Sequence, residues 1–182
     1  MTEEIIIAGF GGQGVLSMGK ILAYSGIMQG QEVSWMPSYG PEMRGGTANV
    51  GVIISDTKIS SPILNEFDTA ILLNQQSIDK FESMVKPGGL LLYDPNGIIH
   101  HPKRKDITIA TIEGMKEASK INRKTFNMVI MGAYLKLHPV VGMDNVHKGL
   151  EKSLPERHHH LIPLNEQAIQ IGMEKVVIVN EI

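Results

Sequence analysis

The stretch Ile5–Gly14, which reads IIIAGFGGQG, decides the fold of this chain. Apolar residues at positions 5–8 run into a glycine-rich turn, and an amphipathic segment over Gly14–Met28 follows at once. Strand, glycine turn and helix in this order place a helix N-terminus where it can bind an anion or a pyrophosphate. Gly9, Gly11 and Gly14 satisfy the G-x-G-x-x-G spacing, so the stretch predicts a Rossmann-like turn. A tight strand-to-helix turn that binds nothing is the alternative.

The second strand tests whether this turn serves a nicotinamide cofactor. A dinucleotide site places an Asp or Glu about 20 residues past the glycines, at the end of the second strand, where it holds the ribose hydroxyls. The predicted second strand, Glu32–Met36, ends in Met-Pro-Ser-Tyr, and Glu32 lies at its beginning, which is the wrong end. The fingerprint is half present, which favours a Rossmann-like turn without an NAD site. A stand-alone nucleotide-binding module remains the alternative class.

Composition excludes several classes of protein. The chain of 182 residues is long enough for one well-packed domain, and its 42% hydrophobic and 20% charged residues are ordinary for a globular protein. Its net charge of −2 gives no electrostatic attraction to nucleic acid or to an anionic membrane. The absence of cysteine excludes disulfides, a thiolate nucleophile, Cys-type zinc sites and iron–sulfur ligation within this chain. The acidic start Met1–Glu4 is unlike a signal peptide, so we expect a cytoplasmic protein.

Apolar strands that alternate with helical patterns indicate the architecture, because near-continuous apolar strands are typical of a sheet covered on both faces. The patterns predict further strands at Thr47–Ser55, Asp68–Asn74 and Leu90–Asp94. They predict helices at Ser77–Val85, ended by Pro87-Gly88-Gly89, and then, in a mostly helical region after Asp106, at Ile112–Lys120, Phe126–Leu137, Met143–Lys152 and Asn165–Met173. We therefore expect an α/β fold over residues 1–182: a single Rossmann-like domain with an open, mostly parallel sheet and helices on both faces.

A second glycine-rich loop, Pro37–Asn49, follows the second predicted strand. Its prolines stiffen the backbone, and its glycines let the backbone approach a ligand closely. Loops beyond the carboxyl ends of strands line the ligand crevice of an open α/β sheet, so we expect this loop beside the turn at Gly11–Gly14. Arg44 can grip a phosphate or a carboxylate there, and Glu42 can orient it. The alternative is a rigid connector whose Arg–Glu surface pair contributes little.

Three weaker signals lie elsewhere. The triplet His158–His160 could bind a metal ion, but consecutive side chains on regular backbone do not converge on one ion, which favours a solvated link between helices. The basic segment His100–Lys105 is either a solvated loop or a docking edge that meets a phosphate. The apolar end Val176–Val179 is either an interface or a last core strand.

The two glycine-rich segments, IAGFGGQGV at residues 7–15 and SYGPEMRGGT at residues 38–47, carry a resemblance to a known family. The chain resembles the gamma subunit of 2-oxoacid:ferredoxin oxidoreductases, and most of all the separate gamma subunit of the 2-oxoglutarate and branched-chain types. The similarity continues in order through Asp68, Pro87-Gly88-Gly89, the helix opening Phe126-Asn127-Met128 and the closing Asn165-Glu166-Gln167-Ala168.

This resemblance implies one subunit of a larger enzyme. Such a complex oxidatively decarboxylates a 2-oxoacid on thiamine diphosphate, passes electrons through iron–sulfur clusters to ferredoxin, and releases CO2 and an acyl-CoA. The thiamine diphosphate and its Mg lie between alpha and beta subunits, and the clusters lie on the beta subunit or on a small ferredoxin-like subunit. The chain itself is then expected to bind no cofactor alone, with CoA at the interface of the complex. 2-Oxoglutarate is the first expected substrate, with branched-chain 2-oxoacids, pyruvate and indolepyruvate as alternatives.

The resemblance also implies which residues meet CoA, whose pyrophosphate and 3′-phosphate suit a helix N-terminus that faces an arginine. None of them is expected to be catalytic or to bind a metal. A purely structural subunit that seals the thiamine site is the remaining alternative. The expected CoA-binding residues are Gly11, Gly12, Gln13 and Gly14 in the turn, and Tyr39, Glu42, Arg44, Gly45 and Gly46 in the facing loop.

Overall fold

A computed structural model of the chain describes residues 1–38 and 47–182. The strands are β1 (Thr2–Phe10), β2 (Glu32–Ser38), β3 (Thr47–Ser55), β4 (Phe67–Leu72), β5 (Val85–Tyr93), β6 (Thr108–Thr111) and β7 (Val177–Asn180). The α-helices are α1 (Val15–Met28), α2 (Gln75–Phe81), α3 (Gly114–Ser119), α4 (Phe126–Leu137), α5 (Met143–Ser153) and α6 (Ile162–Lys175). Short 3-10 turns occur at Glu82–Met84, Arg123–Thr125 and Glu156–Leu161.

The described strands form one seven-stranded sheet in the order β2-β3-β1-β4-β5-β6-β7. Strands β1, β4, β5 and β6 are parallel to one another, whereas β3 runs antiparallel to both β1 and β2, and β7 runs antiparallel to β6. Five of the seven strands thus run in one direction: β2, β1, β4, β5 and β6. The predicted α/β fold with an open, mostly parallel sheet is confirmed.

Strand β1 lies inside the sheet and is buried on both faces, which explains its uninterrupted apolar run. Ile5 and Ile7 pack into the larger core, under α1 and α4, while Ile6 and Ala8 pack into a second core, under α2. Helix α5 packs on α1, and α6 packs on α4, so both form an outer layer. The predicted helices on both faces of the sheet are confirmed.

At one end of the sheet, strand β6 was not predicted, and strand β7 was one of two possibilities left open. Strand β6 falls in the region after Asp106 that was expected to be mostly helical, because four residues carry too little periodicity to reveal a strand. Strand β7 answers the question left open for Val176–Val179: it is an edge strand on β6. It is not a core strand, because Val177 and Val179 are each 56% exposed.

The segment around α2 and β5 also differs from the prediction. Helix α2 begins at Gln75 because the Asn74 side chain accepts a hydrogen bond from the backbone N–H of Ser77 at 2.8 Å. Strand β5 already includes Pro87-Gly88-Gly89 instead of starting after it. The register shifts there, from Phe67 opposite Val85 to Thr69 opposite Leu90, and Gly88 has a φ of 83°. These glycines therefore form an irregularity within the strand, which Gly88 permits through its left-handed backbone.

The contact between α4 and α6 depends on two glycines. A side chain on Gly132 would collide with the backbone of Ile169, and one on Gly172 would collide with the backbone of Val129. Backbone atoms cannot move aside as the end of a flexible side chain can. The two helices are therefore able to pack this closely only because both positions lack a Cβ atom.

The variant Gly132→Ala is expected to lower the free energy of unfolding by about 1–3 kcal/mol, because the added methyl forces α4 and α6 apart. Chemical denaturation of the full chain measures the change. Gly142→Ala is the matched control, since φ is −75° there and the nearest atom to an added Cβ is 3.7 Å away. Equal stabilities for the two variants would contradict the close-packing argument.

Candidate functional site

A crevice lies at the carboxyl edge of the sheet, between β1 and β4. Helix α1 leaves β1 towards one face, and α2 leaves β4 towards the other, so the two connections diverge at this point. Such a divergence is where ligands bind in open α/β sheets. The pocket there has a volume of about 510 Å³ and is lined by Phe10, Gln13, Leu73, Asn74, Gln75, Gln76, Asn96 and Gly97.

The predicted glycine turn borders this crevice through Phe10 and Gln13. Gly12 and Gly14 have φ values of 94° and 73°, which L side chains rarely adopt. A Cβ atom on Gly12 would meet no described residue within 4 Å, whereas one on Gly14 would collide with the Asn127 side chain. Gly14 directly precedes α1, and no side chain in the described part of the chain caps that end of the helix. The first backbone N–H groups of α1 thus remain available to a ligand or to water.

Gln13 holds the turn in shape. Its Oε1 accepts a hydrogen bond from the backbone N–H of Phe10 at 2.6 Å, and its Nε2 donates to the carbonyl of Leu73 at 3.2 Å. The side chain therefore links the carboxyl ends of β1 and β4. Gly9 lies under this amide, since a Cβ atom there would meet Gln13 Oε1 at 2.5 Å. Both polar ends of Gln13 are used within the fold, which makes it a support for the turn.

The structure describes only the residues on either side of the facing loop. Tyr39, Glu42, Arg44, Gly45 and Gly46, the predicted ligand residues of this loop, lie outside the described residues. The residues on either side are described: Ser38 ends β2 opposite Asn49, and Thr47 pairs with Phe10 at the start of the glycine turn. Both flanking residues therefore lie at the same edge of the sheet as the turn. The placement of the loop beside the turn stays a prediction.

Asn74 is a site residue that the sequence reasoning missed. Asn74 is only 3% exposed, and it lines the crevice. Its Nδ2 finds no hydrogen-bond partner among the described residues. A buried amide without a partner is costly unless a ligand or water satisfies it. The signal was present, because Asn74 ends the apolar run that forms β4.

Asp94 occupies the corresponding position after β5 and was also missed. Its carboxylate accepts hydrogen bonds from the backbone N–H groups of Asn96 at 2.8 Å and Met115 at 3.1 Å. Burial raises the pKa of Asp94, and these backbone hydrogen bonds oppose the rise. A second pocket of about 500 Å³ begins at Asp94 and shares Asn96 with the first. The crevice therefore continues along the carboxyl edge from the glycine turn towards α3.

Arg104, which belongs to the basic segment His100–Lys105, does not reach this site. Arg104 donates to the backbone carbonyls of Glu82 and Val85 and pairs with Asp106 at 2.6 Å. Val85 begins β5, so Arg104 lies at the amino edge of the sheet, opposite the glycine turn. Arg104 serves to fasten the loop, and the structure gives no support to a phosphate contact by this residue at the turn.

The histidine triplet forms part of the 3-10 turn between α5 and α6. His159 contacts the carbonyl oxygens of Glu151 at 3.0 Å and Leu154 at 2.9 Å through its Nε2. Within residues 1–38 and 47–182, no group of His, Asp or Glu side chains is arranged to hold a metal ion. In the same ranges, no helix is both long and apolar enough to cross a bilayer.

A family model matches nearly the whole chain. The family is described as pyruvate ferredoxin/flavodoxin oxidoreductase, and the match covers residues 4–175. It includes the glycine turn, both pockets of the carboxyl edge, and the strands and helices that surround them.

Two curated relatives differ in how much of their length they share with this chain. Subunit KorC of 2-oxoglutarate synthase from Methanocaldococcus jannaschii is 32% identical over 160 residues, which cover 86% of each chain. Subunit VorA of ketoisovalerate oxidoreductase from Methanothermobacter thermautotrophicus is 52% identical over 91 residues, which cover 50% of this chain and 19% of VorA. The chain thus spans only about a fifth of that longer relative.

Solved structures show the same fold. The gamma subunit of a keto/oxoacid ferredoxin oxidoreductase from Geobacter sulfurreducens PCA is 30% identical, with a TM-score of 0.83 over 96% of both chains. A 2-oxoglutarate:ferredoxin oxidoreductase from Magnetococcus marinus, with 2-oxoglutarate, coenzyme A and succinyl-CoA bound, is 23% identical, with a TM-score of 0.84 over 95% of this chain and 30% of that one. The chain therefore belongs to the pyruvate ferredoxin/flavodoxin oxidoreductase family, as a gamma subunit of the 2-oxoacid:ferredoxin oxidoreductase type.

Proposed function

We propose that this chain works as the gamma subunit of a thiamine-diphosphate-dependent 2-oxoacid:ferredoxin oxidoreductase and contributes the binding site for CoA. The observation that carries the proposal is the N-terminus of α1, which no described side chain caps and which follows directly on a turn whose Phe10 and Gln13 line the crevice. The pyrophosphate of CoA is an anion of the kind that such a helix end binds. A structure of the Magnetococcus marinus relative contains CoA, which supports the choice of ligand.

The described residues supply two complementary contacts for this ligand. No described residue would meet a Cβ atom on Gly12, so phosphate oxygens would be able to approach the backbone N–H groups of the helix N-terminus. Asn74, whose Nδ2 lacks a partner among the described residues, lines the same crevice. Gln13 contributes indirectly, because its hydrogen bonds hold the turn.

The facing loop completes the proposed site. Arg44 would form charge-assisted hydrogen bonds with a phosphate of CoA, and Glu42 and Tyr39 would orient it. Gly45 and Gly46 would let the loop backbone approach the ligand. This role rests on the loop sequence and on the flanking residues Ser38 and Thr47, both at the edge that carries the turn.

The remaining chemistry would reside in partner subunits. Alpha and beta subunits would hold thiamine diphosphate and Mg, which supply the decarboxylation, while iron–sulfur clusters would lie on beta or on a small ferredoxin-like subunit. Ferredoxin would accept the electrons of the complex. The lack of cysteine in this chain fits that division, because the chain offers no thiolate to a cluster.

2-Oxoglutarate is the first candidate substrate. The KorC relative is aligned over most of both chains, whereas the VorA relative is aligned over half of this one. The higher identity of the VorA segment, 52%, favours a branched-chain 2-oxoacid as the second candidate. The crevice of this chain is assigned to CoA, so a partner subunit would recognise the side chain of the 2-oxoacid.

Arg44→Ala in the assembled complex is expected to raise the KM for CoA by about tenfold or more, because a charge-assisted contact with phosphate is lost. The KM for the 2-oxoacid should change little. Steady-state kinetics with each substrate varied in turn measures both values. Arg44→Lys keeps the positive charge but loses the planar guanidinium, so its KM for CoA should lie between the values of the wild type and Arg44→Ala. A complex of Arg44→Ala that assembles normally with an unchanged KM for CoA refutes the assignment.

Gln13→Glu should weaken CoA binding by loosening the turn and by placing a negative charge beside the pyrophosphate. The new carboxylate cannot donate to the carbonyl of Leu73, so the link between β1 and β4 is broken. The KM for CoA is expected to rise at least about fivefold, which corresponds to the loss of one hydrogen bond. Gln167→Glu makes the same change of charge at an exposed position on α6 and serves as the control. It should leave the KM for CoA unchanged.

Affinity purification of the chain from its source cell should recover alpha and beta subunits that bind thiamine diphosphate, identified by mass spectrometry. The recovered complex should reduce ferredoxin with one 2-oxoacid of a panel in the presence of CoA, which names the substrate. Recovery of the chain alone, with a bound nucleotide, would instead establish the stand-alone binding module. An active complex whose CoA affinity is indifferent to the turn and to Arg44 would establish the purely structural subunit.

A further inference from the structure

A separate pocket lies on the helical side of the glycine turn. It is enclosed by the first turns of α1, the start of α4 and the 3-10 turn between α5 and α6, and its volume is about 250 Å³. Asn127 separates it from the turn, since its Nδ2 donates to the carbonyl of Gly14 at 3.2 Å. The lining residues of this pocket and those of the crevice have no member in common.

The base of the pocket is apolar. Ile21 and Met128 are buried, and Leu154, Leu161 and Leu164 are partly exposed around them. Leucine side chains that remain partly exposed in a concave wall present an apolar surface that a ligand can cover. This part of the pocket suits a short hydrocarbon body.

The mouth of the pocket is polar and can carry positive charge. Ser17 and Lys124 line it, and neither side chain forms a hydrogen bond or an ion pair with another described residue. His158 adds an imidazole, and no Asp or Glu belongs to the lining in the described part of the chain. An anion placed here would meet a cation and a hydroxyl donor without a carboxylate to repel it.

Helix geometry adds to this preference. Helix α4, with 12 residues, begins beside the pocket, since Asn127 and Met128 in its first turn line it. The N-terminus of a helix favours a nearby negative charge by a modest amount. The charge of Lys124 and the start of α4 therefore act in the same direction.

We propose that this pocket binds a small organic anion in which a phosphate or carboxylate is attached to an apolar body of about six carbons. The head meets Lys124 and Ser17, and the body covers the leucine wall. The pocket volume of about 250 Å³ is sufficient for a ligand of this size. The site is distinct from the crevice assigned to CoA, and the proposal does not rest on the proposed function.

Titration of the isotopically labelled full chain with n-hexyl phosphate, followed by NMR, tests the site. The amide signals of Ser17, Asn127 and Leu161 are expected to shift most. Inorganic phosphate represents the charged head of this ligand, and n-hexanol represents its apolar body. Each should bind at least about tenfold more weakly than n-hexyl phosphate, because the apolar and charged contacts act together. Sodium hexanoate, compared with n-hexyl phosphate, shows which head the pocket prefers, and tighter binding of either supports the proposal.

Lys124→Gln should weaken binding of n-hexyl phosphate at least about tenfold and leave that of n-hexanol unchanged. Lys148→Gln, an exposed helical lysine outside the pocket, is the matched control and should bind as the wild type does. Ser17→Phe fills the mouth and should abolish binding of both ligands. Circular dichroism establishes that each variant is folded.

Three results would overturn the proposal. The first is unchanged n-hexyl phosphate affinity in folded Lys124→Gln, and the second is displacement of n-hexyl phosphate by CoA, which would merge the two sites. The third is binding by the isolated chain but not by the assembled complex, which would show that a partner chain fills the pocket. CoA kinetics of the Arg44 variant are independent of all three, so failure here is distinguishable from failure of the proposed function.

Discussion

The burial of β1 on both faces is the constraint on which the rest of this structure depends. An interior strand whose central residues 5–9 are all buried requires a helix layer on each face, and α1 with α4 on one face and α2 on the other supply the two layers. The strand ends at Phe10, and the chain must turn sharply to bring α1 back over the sheet. Left-handed backbone at Gly12 and Gly14 accomplishes this within four residues. The same turn places the N-terminus of α1, which no described side chain caps, directly after the Phe10 and Gln13 that line the crevice.

Polar side chains gather at both edges of the sheet. At the amino edge, the buried Glu3 accepts from Thr69 at 2.6 Å and meets His138 at 2.9 Å. Lys86 joins Glu4 and Asp68 on the other face. At the carboxyl edge, Asn74 Oδ1 accepts from Ser77, whereas Asn74 Nδ2 has no partner among the described residues. Because Asn74 lines the crevice, this Nδ2 group is available to a ligand where the strands end.

Sequence patterns were reliable where an element is long and its signal is local. Strand β3 and helix α4 have the predicted boundaries, because nine β-prone and twelve helix-periodic residues carry their own information. The four-residue strand β6 depends on neighbours distant in sequence, so periodicity could not reveal it. For β7, the apolar run Val176–Val179 left an interface and a last strand equally open. The start of α2 depends on the Asn74 cap, and the irregular start of β5 depends on register with β4. For the site, the turn was predictable from its glycines, but the roles of Gln13 and Asn74 required the adjacent end of β4.

The sequence by itself determined the strand–turn–helix unit, the alternation of strands and helices, and the resemblance to the gamma-subunit family, because these are carried by residues close together in the chain. It also determined that no cysteine chemistry can occur within this chain. Only the tertiary structure decided that α4 and α6 meet through Gly132 and Gly172, and that Asn127 separates a second pocket from the glycine turn. These features join residues more than thirty positions apart, and no local propensity encodes such a contact.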